Sequence, residues 1–257
     1  MGMKGSVNTE VMMMTNKDKY DFKAVLFDLD GTLLRAQMTE FIPRYVHALA
    51  TYCADRVKPR KFEKAMLAAI RDLIHTQGNG STTNEERVFA AMQRDLGLPE
   101  GLLRDSLNHF EQNGLAELQE LIRPVPLAKK ILSSCAEKGL PLVLATNPVF
   151  PMFMIQARMV WAGLDEADFT HVTSYENSYH CKPQSGYFSD IATLLEVPAE
   201  KCLMVGNDIN HDLAAVAVGM KAYLVDTWLV ERGGPEWPCE YRGDHSALQE
   251  FLEEHLS

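Results

Sequence analysis

The stretch Ala24-Val25-Leu26-Phe27-Asp28-Leu29-Asp30-Gly31-Thr32-Leu33-Leu34 decides the fold. Its first four residues are apolar without alternation, the pattern of a short strand covered on both faces, as in a parallel sheet. Two aspartates one residue apart follow. If extended geometry persists for that step, Asp28 and Asp30 point to one side and bring two carboxylates to one spot. Gly31 then lets the chain turn away sharply. Crowded carboxylates need a counter-charge, and Mg2+, which takes oxygen donors but few protein carboxylates, is a natural one. An Asx-rich turn with no chemistry fits this stretch alone equally well.

Outward from this strand, the pattern becomes helical for nearly ninety residues. Phe41, Tyr45, Val46, Leu49 and Tyr52 recur at helical spacing, as do Phe62, Met66, Leu67, Ile70, Leu73 and Ile74 behind the starter Pro59. Gly78-Asn79-Gly80-Ser81 breaks the run, and Thr83-x-x-Glu86 is a capping box for a third helix. A fourth is expected from Pro99 to Ile122, kinked or split at Gly114. From Pro124 onward helices and apolar strands alternate. Helices are expected over 127–138, 148–161, 184–196, 208–218 and 245–255. Strands are expected over 140–146, 171–176, 201–206 and 221–226. Such alternation argues for an α/β fold with a doubly wound, Rossmann-like parallel sheet. The expected division is a mobile arm over 1–20, a core from 21–35 and 123–257, and an inserted helical-bundle cap over 36–122.

Three further strand ends carry polar residues. Thr146-Asn147-Pro148 reads as a helix start, with Asn147 as N-cap and Pro148 as first residue. Its amides and the Thr146 hydroxyl would make an anion-binding corner. Lys182 precedes Pro183, which biases it to an extended conformation and turns its side chain from the following helix. Gly206-Asn207-Asp208-Ile209-Asn210-His211-Asp212 ends another strand, with Asp208 and Asp212 on one face of an expected first helical turn. His211 has no partner at metal-ligand spacing and reads as surface or supporting. Each signal alone has an ordinary structural explanation. In a parallel sheet, however, all these ends lie at one edge, where such folds bind ligands.

Composition narrows the function. With 46% hydrophobic and 23% charged residues the chain is ordinary globular material, and a net charge of −10 argues against a nucleic-acid footprint. Five scattered cysteines, an odd number without paired spacing, fit a reducing compartment, and a cytoplasmic location is expected. No apolar run has the ~18 residues needed to span a bilayer. Met1-Gly2 with Ser6 matches an N-myristoylation pattern, but no polybasic second signal accompanies it, so no membrane partner is expected.

Taken in order, Asp28-x-Asp30-Gly31-Thr32, Thr146, Lys182-Pro183 and Gly206-Asn207-Asp208-x-x-x-Asp212 resemble the four motifs of the haloacid dehalogenase superfamily, in its phosphoglycolate phosphatase-like branch with an α-helical cap. The resemblance covers about residues 22–230. It implies Asp28 as nucleophile forming an aspartyl-phosphate, and Asp30 as general acid and then base. Thr146 and Lys182 would hold the phosphoryl oxygens, with Gly31, Thr32 and Asn147 also contacting substrate. Mg2+ would be held by Asp28, the Asp30 carbonyl and Asp208, with Asp212 behind them. Asn207 stands where glycine often precedes the metal-binding aspartate. A register shifted by one would offer its uncharged amide instead, and Asp208 is the preferred ligand. The function implied is a Mg2+-dependent phosphatase of a small soluble phosphate monoester. A phosphosugar mutase using the same aspartates and a non-catalytic binding protein are the alternatives. A dehalogenase is disfavoured, since a halide leaving group needs no acid such as Asp30. The ester itself, and whether the chain is monomer or dimer, are not readable.

Overall fold

The computed structural model describes residues 21–256; the expected arm over 1–20 and the lipidation pattern lie outside them. The chain enters through β1 (Ala24–Phe27) and β2 (Leu34–Arg35), then α1 (Met38–Thr51), α2 (Pro59–His75), α3 (Asn84–Leu96) and α4 (Glu100–Asn113). A 3-10 segment, Leu115–Leu121, leads to β3 (Arg123–Pro124), which pairs antiparallel with β2. Then come α5 (Ala128–Ala136), β4 (Leu142–Leu144), α6 (Met152–Trp161), β5 (His171–Val172), α7 (Ser185–Leu194) and β6 (Cys202–Gly206). A 3-10 segment Leu213–Val218, β7 (Lys221–Val225), β8 (Tyr241–Gly243) and α8 (His245–His255) complete the described chain.

Six strands form one sheet in the order β5-β4-β1-β6-β7-β8, every pairing parallel. The unalternating apolar strands have a direct explanation. Along β1, Val25 and Phe27 join one buried cluster, with residues of α5, α6 and α8, while Ala24 and Leu26 join another, with residues of α7. Leu203 and Val205 against Cys202 and Met204 repeat the division in β6. Both faces of the central strands are therefore covered, the doubly wound arrangement expected. The sheet gains β8, which the sequence pattern did not reveal. Its three residues Tyr241-Arg242-Gly243 carry no apolar run.

Three expected helices begin or end elsewhere. The fourth stops at Asn113, and Gly114 divides it from the 3-10 segment; a side chain there would collide with the Phe110 ring and the Tyr52 hydroxyl. The helix expected from Pro148 begins only at Met152. Pro151 rather than Asn147 occupies the N-cap position, because the second proline holds the preceding residue extended. The segment expected as a helix over 208–218 is a turn followed by six residues of 3-10 helix ending at Gly219, φ +91°. So short a piece between β6 and β7, rich in β-branched valine, favours the tighter form. The Thr83–Glu86 capping box is present with both of its hydrogen bonds.

The helical insertion is stitched to the sheet domain away from β2 and β3. Asn84 is fully buried, its amide donating to the carbonyls of Pro148 (3.2 Å) and His180 (3.3 Å). Its backbone N–H donates to Ser178 O (2.8 Å). From the other side, Gln184 donates to Leu73 O and Ile74 O and accepts from Gly78 N. A buried acceptor left without its donor costs more than the bond contributes. Asn84→Leu is therefore expected to lower unfolding free energy by about 1–3 kcal/mol in urea titration; an unchanged midpoint would show that this stitch is dispensable.

Candidate active site

The carboxyl ends of β1, β4 and β6 open onto a cavity of about 460 Å³, lined in part by Asp28, Asp30, Thr146, Lys182, Asp208 and Asp212. Parallel pairing creates this convergence: Phe27 lies between Leu144 and Val205, so the residues that follow each strand emerge together. The Asp28 N–H donates to Val205 O (2.8 Å), continuing the ladder one step. The chain then folds back, with Leu33 and Leu34 N–H groups both donating to Leu29 O (3.0 Å each) and Gly31 at φ +94°. A Cβ at Gly31 would lie 2.1 Å from the Asn207 amide, so both the conformation and the close approach require glycine.

Lys182 is the hub. Its Nζ donates to Asp28 Oδ1 (2.7 Å) and Asp212 Oδ1 (2.6 Å), and all three side chains are buried. Asn147 fixes its backbone, accepting from Lys182 N (3.2 Å) and donating to Lys182 O (3.4 Å). Asn147 thus positions the lysine instead of capping α6. The first amide of α6, Met152 N, donates to the Glu176 carboxylate (2.9 and 3.1 Å), so the anion at that helix start belongs to the protein. Thr146 is buried at the cavity wall, its carbonyl accepting from Thr173 Oγ1 (2.7 Å) and Tyr187 Oη (2.8 Å).

At the end of β6, the Asp208 N–H donates to Asp212 Oδ2 (2.9 Å), and Asp208 Oδ1 accepts from Asn210 N and His211 N (3.0 Å each). Gly206 leaves space for Asp212, whose Oδ2 would lie 2.2 Å from a Cβ there. The Arg232 guanidinium donates to Asp208 Oδ2. Asn207 lies against Gly31 and donates to Trp228 O (2.6 Å). His211 lines the cavity, and burial lowers its pKa, with Asp208 acting the other way. Thr32 is buried outside that lining; its hydroxyl has no hydrogen-bond partner among the described residues, and its carbonyl pairs with His245 Nε2 (2.8 Å).

Electrostatically, the two buried partners are pushed the same way for different reasons. Burial raises the Asp28 carboxyl to about 7, against the pull of Lys182 and with the help of Asp212 and Asp30. Burial works against the Lys182 charge, but Asp212 and Asp28 overcome it and hold its pKa well above the ordinary value. The ammonium is therefore the secure charge in this cluster.

Two arginines complete the surroundings, and the sequence reading missed both. Arg158 of α6 is fully buried, with Nη1 donating to Asp30 Oδ1 (2.9 Å) and Oδ2 (2.7 Å). A signal for it existed: Met154, Ile155, Arg158 and Met159 form the buried face of that helix, so an arginine sits at a core position. Arg232 had no such signal. It follows Leu229-Val230 in a loop tied to the site by Val230 N–Asn207 O (2.9 Å) and Ile209 N–Val230 O (3.0 Å).

Among the described residues, no three His, Cys, Asp or Glu side chains group as a metal cluster. Mg2+ does not require one, since it takes one or two carboxylates and keeps several waters. Asp28 and Asp208 are hard oxygen donors that follow the paired strands β1 and β6 and line one cavity, where Lys182 donates to the first and Arg232 to the second. The donor chemistry fits that ion.

An open parallel α/β sheet with a carboxylate–lysine cluster at its carboxyl edge defines a doubly wound protein with a ligand site at the strand ends. A family model for haloacid dehalogenase-like hydrolases matches residues 22–219, and the chain belongs to that family. It is 28% identical over 213 residues to a ribulose-1,5-bisphosphate 5-phosphatase of Halopiger xanaduensis, covering 79% of this chain and 84% of that protein. It is 25% identical over 190 residues to a phosphoglycolate phosphatase of Agrobacterium fabrum, covering 74% of each. The fold is shared with a HAD phosphatase from Thermococcus onnurineus (TM-score 0.56, 19% identity, 92% of this chain and 100% of that one). It is also shared with CbbY from Rhodobacter sphaeroides (TM-score 0.55, 20% identity, 90% and 96%). Among the described residues no helix is long and apolar enough to cross a membrane.

Proposed function

We propose that the protein is a Mg2+-dependent phosphatase of a small phosphorylated metabolite, acting through an aspartyl-phosphate on Asp28. The observation that carries this reading is the single cavity onto which Asp28, Asp30, Thr146, Lys182 and Asp208 converge. The phosphatase names of the relatives support the same reaction type.

Asp28 attacks the phosphorus, displacing the alkoxide, and a proton from Asp30 reaches the leaving oxygen. A water then attacks the phosphorus of the acyl phosphate, its proton passing to Asp30, and Asp28 is released with inorganic phosphate. Lys182 is already fixed on Asp28 Oδ1, so its charge meets the phosphoryl oxygens without reorganisation. Thr146, held through its carbonyl, offers its hydroxyl from the end of the neighbouring strand β4. Asp212 keeps Lys182 oriented through its second bond. Mg2+, held by Asp28, Asp208 and the Asp30 carbonyl, would neutralise charge on the transferring group. Residues 36–122 serve as the cap: Ile42 of α1 and Ile74 of α2 stand in the cavity lining and give it an apolar wall facing the strand ends.

The test is phosphate release from a panel of phosphorylated metabolites, with Mg2+ and with EDTA. Stoichiometric phosphate that depends on the metal is expected. Isomer interconversion without free phosphate would make the protein a mutase, and no turnover on any member would leave a binding role.

A further inference from the structure

The proposed mechanism leaves unexplained a full positive charge in the core. Arg158 is completely buried, and among the described residues only Nη1 of its guanidinium has hydrogen-bond partners, the two Asp30 oxygens at 2.9 and 2.7 Å. Nε and Nη2 are buried with no hydrogen-bond partner among the described residues. The group is walled by two rings: Phe150 of the segment before α6 at 4.8 Å and Phe41 of α1 at 5.4 Å. Phe41 and Phe150 pack edge to face, 5.8 Å between centroids. Burying a guanidinium is expensive, and one carboxylate with two ring faces offsets it incompletely. At an apolar face of α6, methionine or leucine would pack with less penalty. A merely structural role accounts poorly for the arginine.

Asp30 supplies the reason. Its carboxylate lines the cavity and is only slightly exposed, yet both oxygens are tied to one nitrogen behind the wall. Two bonds from one buried nitrogen restrain rotation of the Asp30 carboxylate about its χ angles and so limit its aim. We propose that Arg158 is a positioning residue for Asp30, pinning the acid–base carboxylate from behind so that it faces the leaving oxygen. The pin is anchored by rings from both the sheet domain and the helical insertion. This inference rests on the phosphatase reading and adds a residue to it.

Leaving-group dependence separates positioning from packing. kcat/KM reports the steps up to departure of the leaving group. An alkyl phosphate needs a proton on its leaving oxygen, whereas p-nitrophenolate leaves without one. With Mg2+ present, Arg158→Met is expected to lower kcat/KM for an alkyl phosphate roughly 30- to 100-fold, a part of the ~10²–10⁴ attributable to a placed general acid. For p-nitrophenyl phosphate the expected fall is about threefold or less. Arg158→Lys, which keeps a cation in the same space, should restore part of the alkyl rate. In an Asp30→Asn background, Arg158→Met should add no further selective loss, because its effect runs through Asp30. Equal losses on both substrates, or a multiplied loss in the double variant, would reduce Arg158 to a packing residue and overturn the proposal. Faster alkyl hydrolysis would overturn it too, since the arginine would then be holding Asp30 away. Wild-type protein that turns over p-nitrophenyl phosphate while the variants behave alike sinks this inference alone. Wild-type protein that releases no phosphate from either ester or from any member of the metabolite panel sinks the phosphatase reading with it.

Discussion

Asp28→Asn is expected to abolish turnover, by at least ~10⁴-fold in kcat, and at the same time to make the metal-free protein more stable. The loss follows from the chemistry: the amide can neither attack phosphorus nor form an acyl phosphate, and removing one member of a catalytic unit costs on this scale. The gain follows from electrostatics. Burial raises the Asp28 carboxyl to about 7, from 3.8 for an ordinary aspartate. The folded chain therefore binds that proton more tightly than the unfolded chain does. Between about pH 4 and pH 7 the unfolded state has lost it while the folded state retains it, so the contribution to stability falls as pH rises through this window. Above pH 7 the folded protein carries a poorly solvated charge, a penalty on the order of 2–4 kcal/mol. Asparagine has the same shape and no charge to bury, and Lys182 keeps Asp212 as partner. In EDTA at pH 8 the variant should melt about 3–6 °C above wild type, and at pH 4 the two curves should draw together. A variant that melts lower at pH 8 would show that the Lys182–Asp28 bond outweighs burial.

Such a conflict between stability and chemistry also explains which parts of the molecule were readable from sequence. β1, β4 and β6 announce themselves because they are covered on both faces and must be apolar throughout. The residues after each strand could be assembled at one edge because parallel pairing leaves no other place for them. Local capping chemistry was legible where it is self-contained, as at Thr83 and Glu86, whose two bonds lie within one turn. It misled at Asn147. There a good N-cap residue and a proline suggested a helix start, while the side chain is used 35 residues away to hold the Lys182 backbone. The proline that sets the helix start is the second one, Pro151. Arg232 was invisible for the complementary reason: its role depends on a loop returning across the strand end, and nothing in Glu231-Arg232-Gly233-Gly234 encodes that destination. Arg158 lay between these cases. Its position on the buried face of α6 was visible, but the carboxylate that accepts it, 128 residues earlier, was not.

Lys182 should show the opposite profile to Asp28. Its pKa is held well above the ordinary lysine value, because Asp212 and Asp28 more than offset burial. A raised lysine contributes stability fully below the unfolded pKa of about 10.4, and that contribution is lost only as pH rises through the still higher folded value. Wild type therefore keeps it across the whole neutral range. Lys182→Met removes the cation from between two carboxylates that remain buried, and uncompensated buried charge costs about 3–5 kcal/mol. The variant also loses what pulls the Asp28 pKa down, so Asp28 should take up a proton at higher pH than in wild type. In urea unfolding the deficit should grow as pH rises through and beyond 8, and at pH 5, where protonation relieves the repulsion, most of it should disappear. Adding Asp212→Asn to Lys182→Met should recover stability at pH 8 without restoring turnover, because the charge that meets the phosphoryl group is still missing. A deficit below about 1 kcal/mol that does not vary with pH would mean that the three side chains are not electrostatically linked. The lysine could then not serve as the fixed charge on which phosphoryl transfer at Asp28 depends.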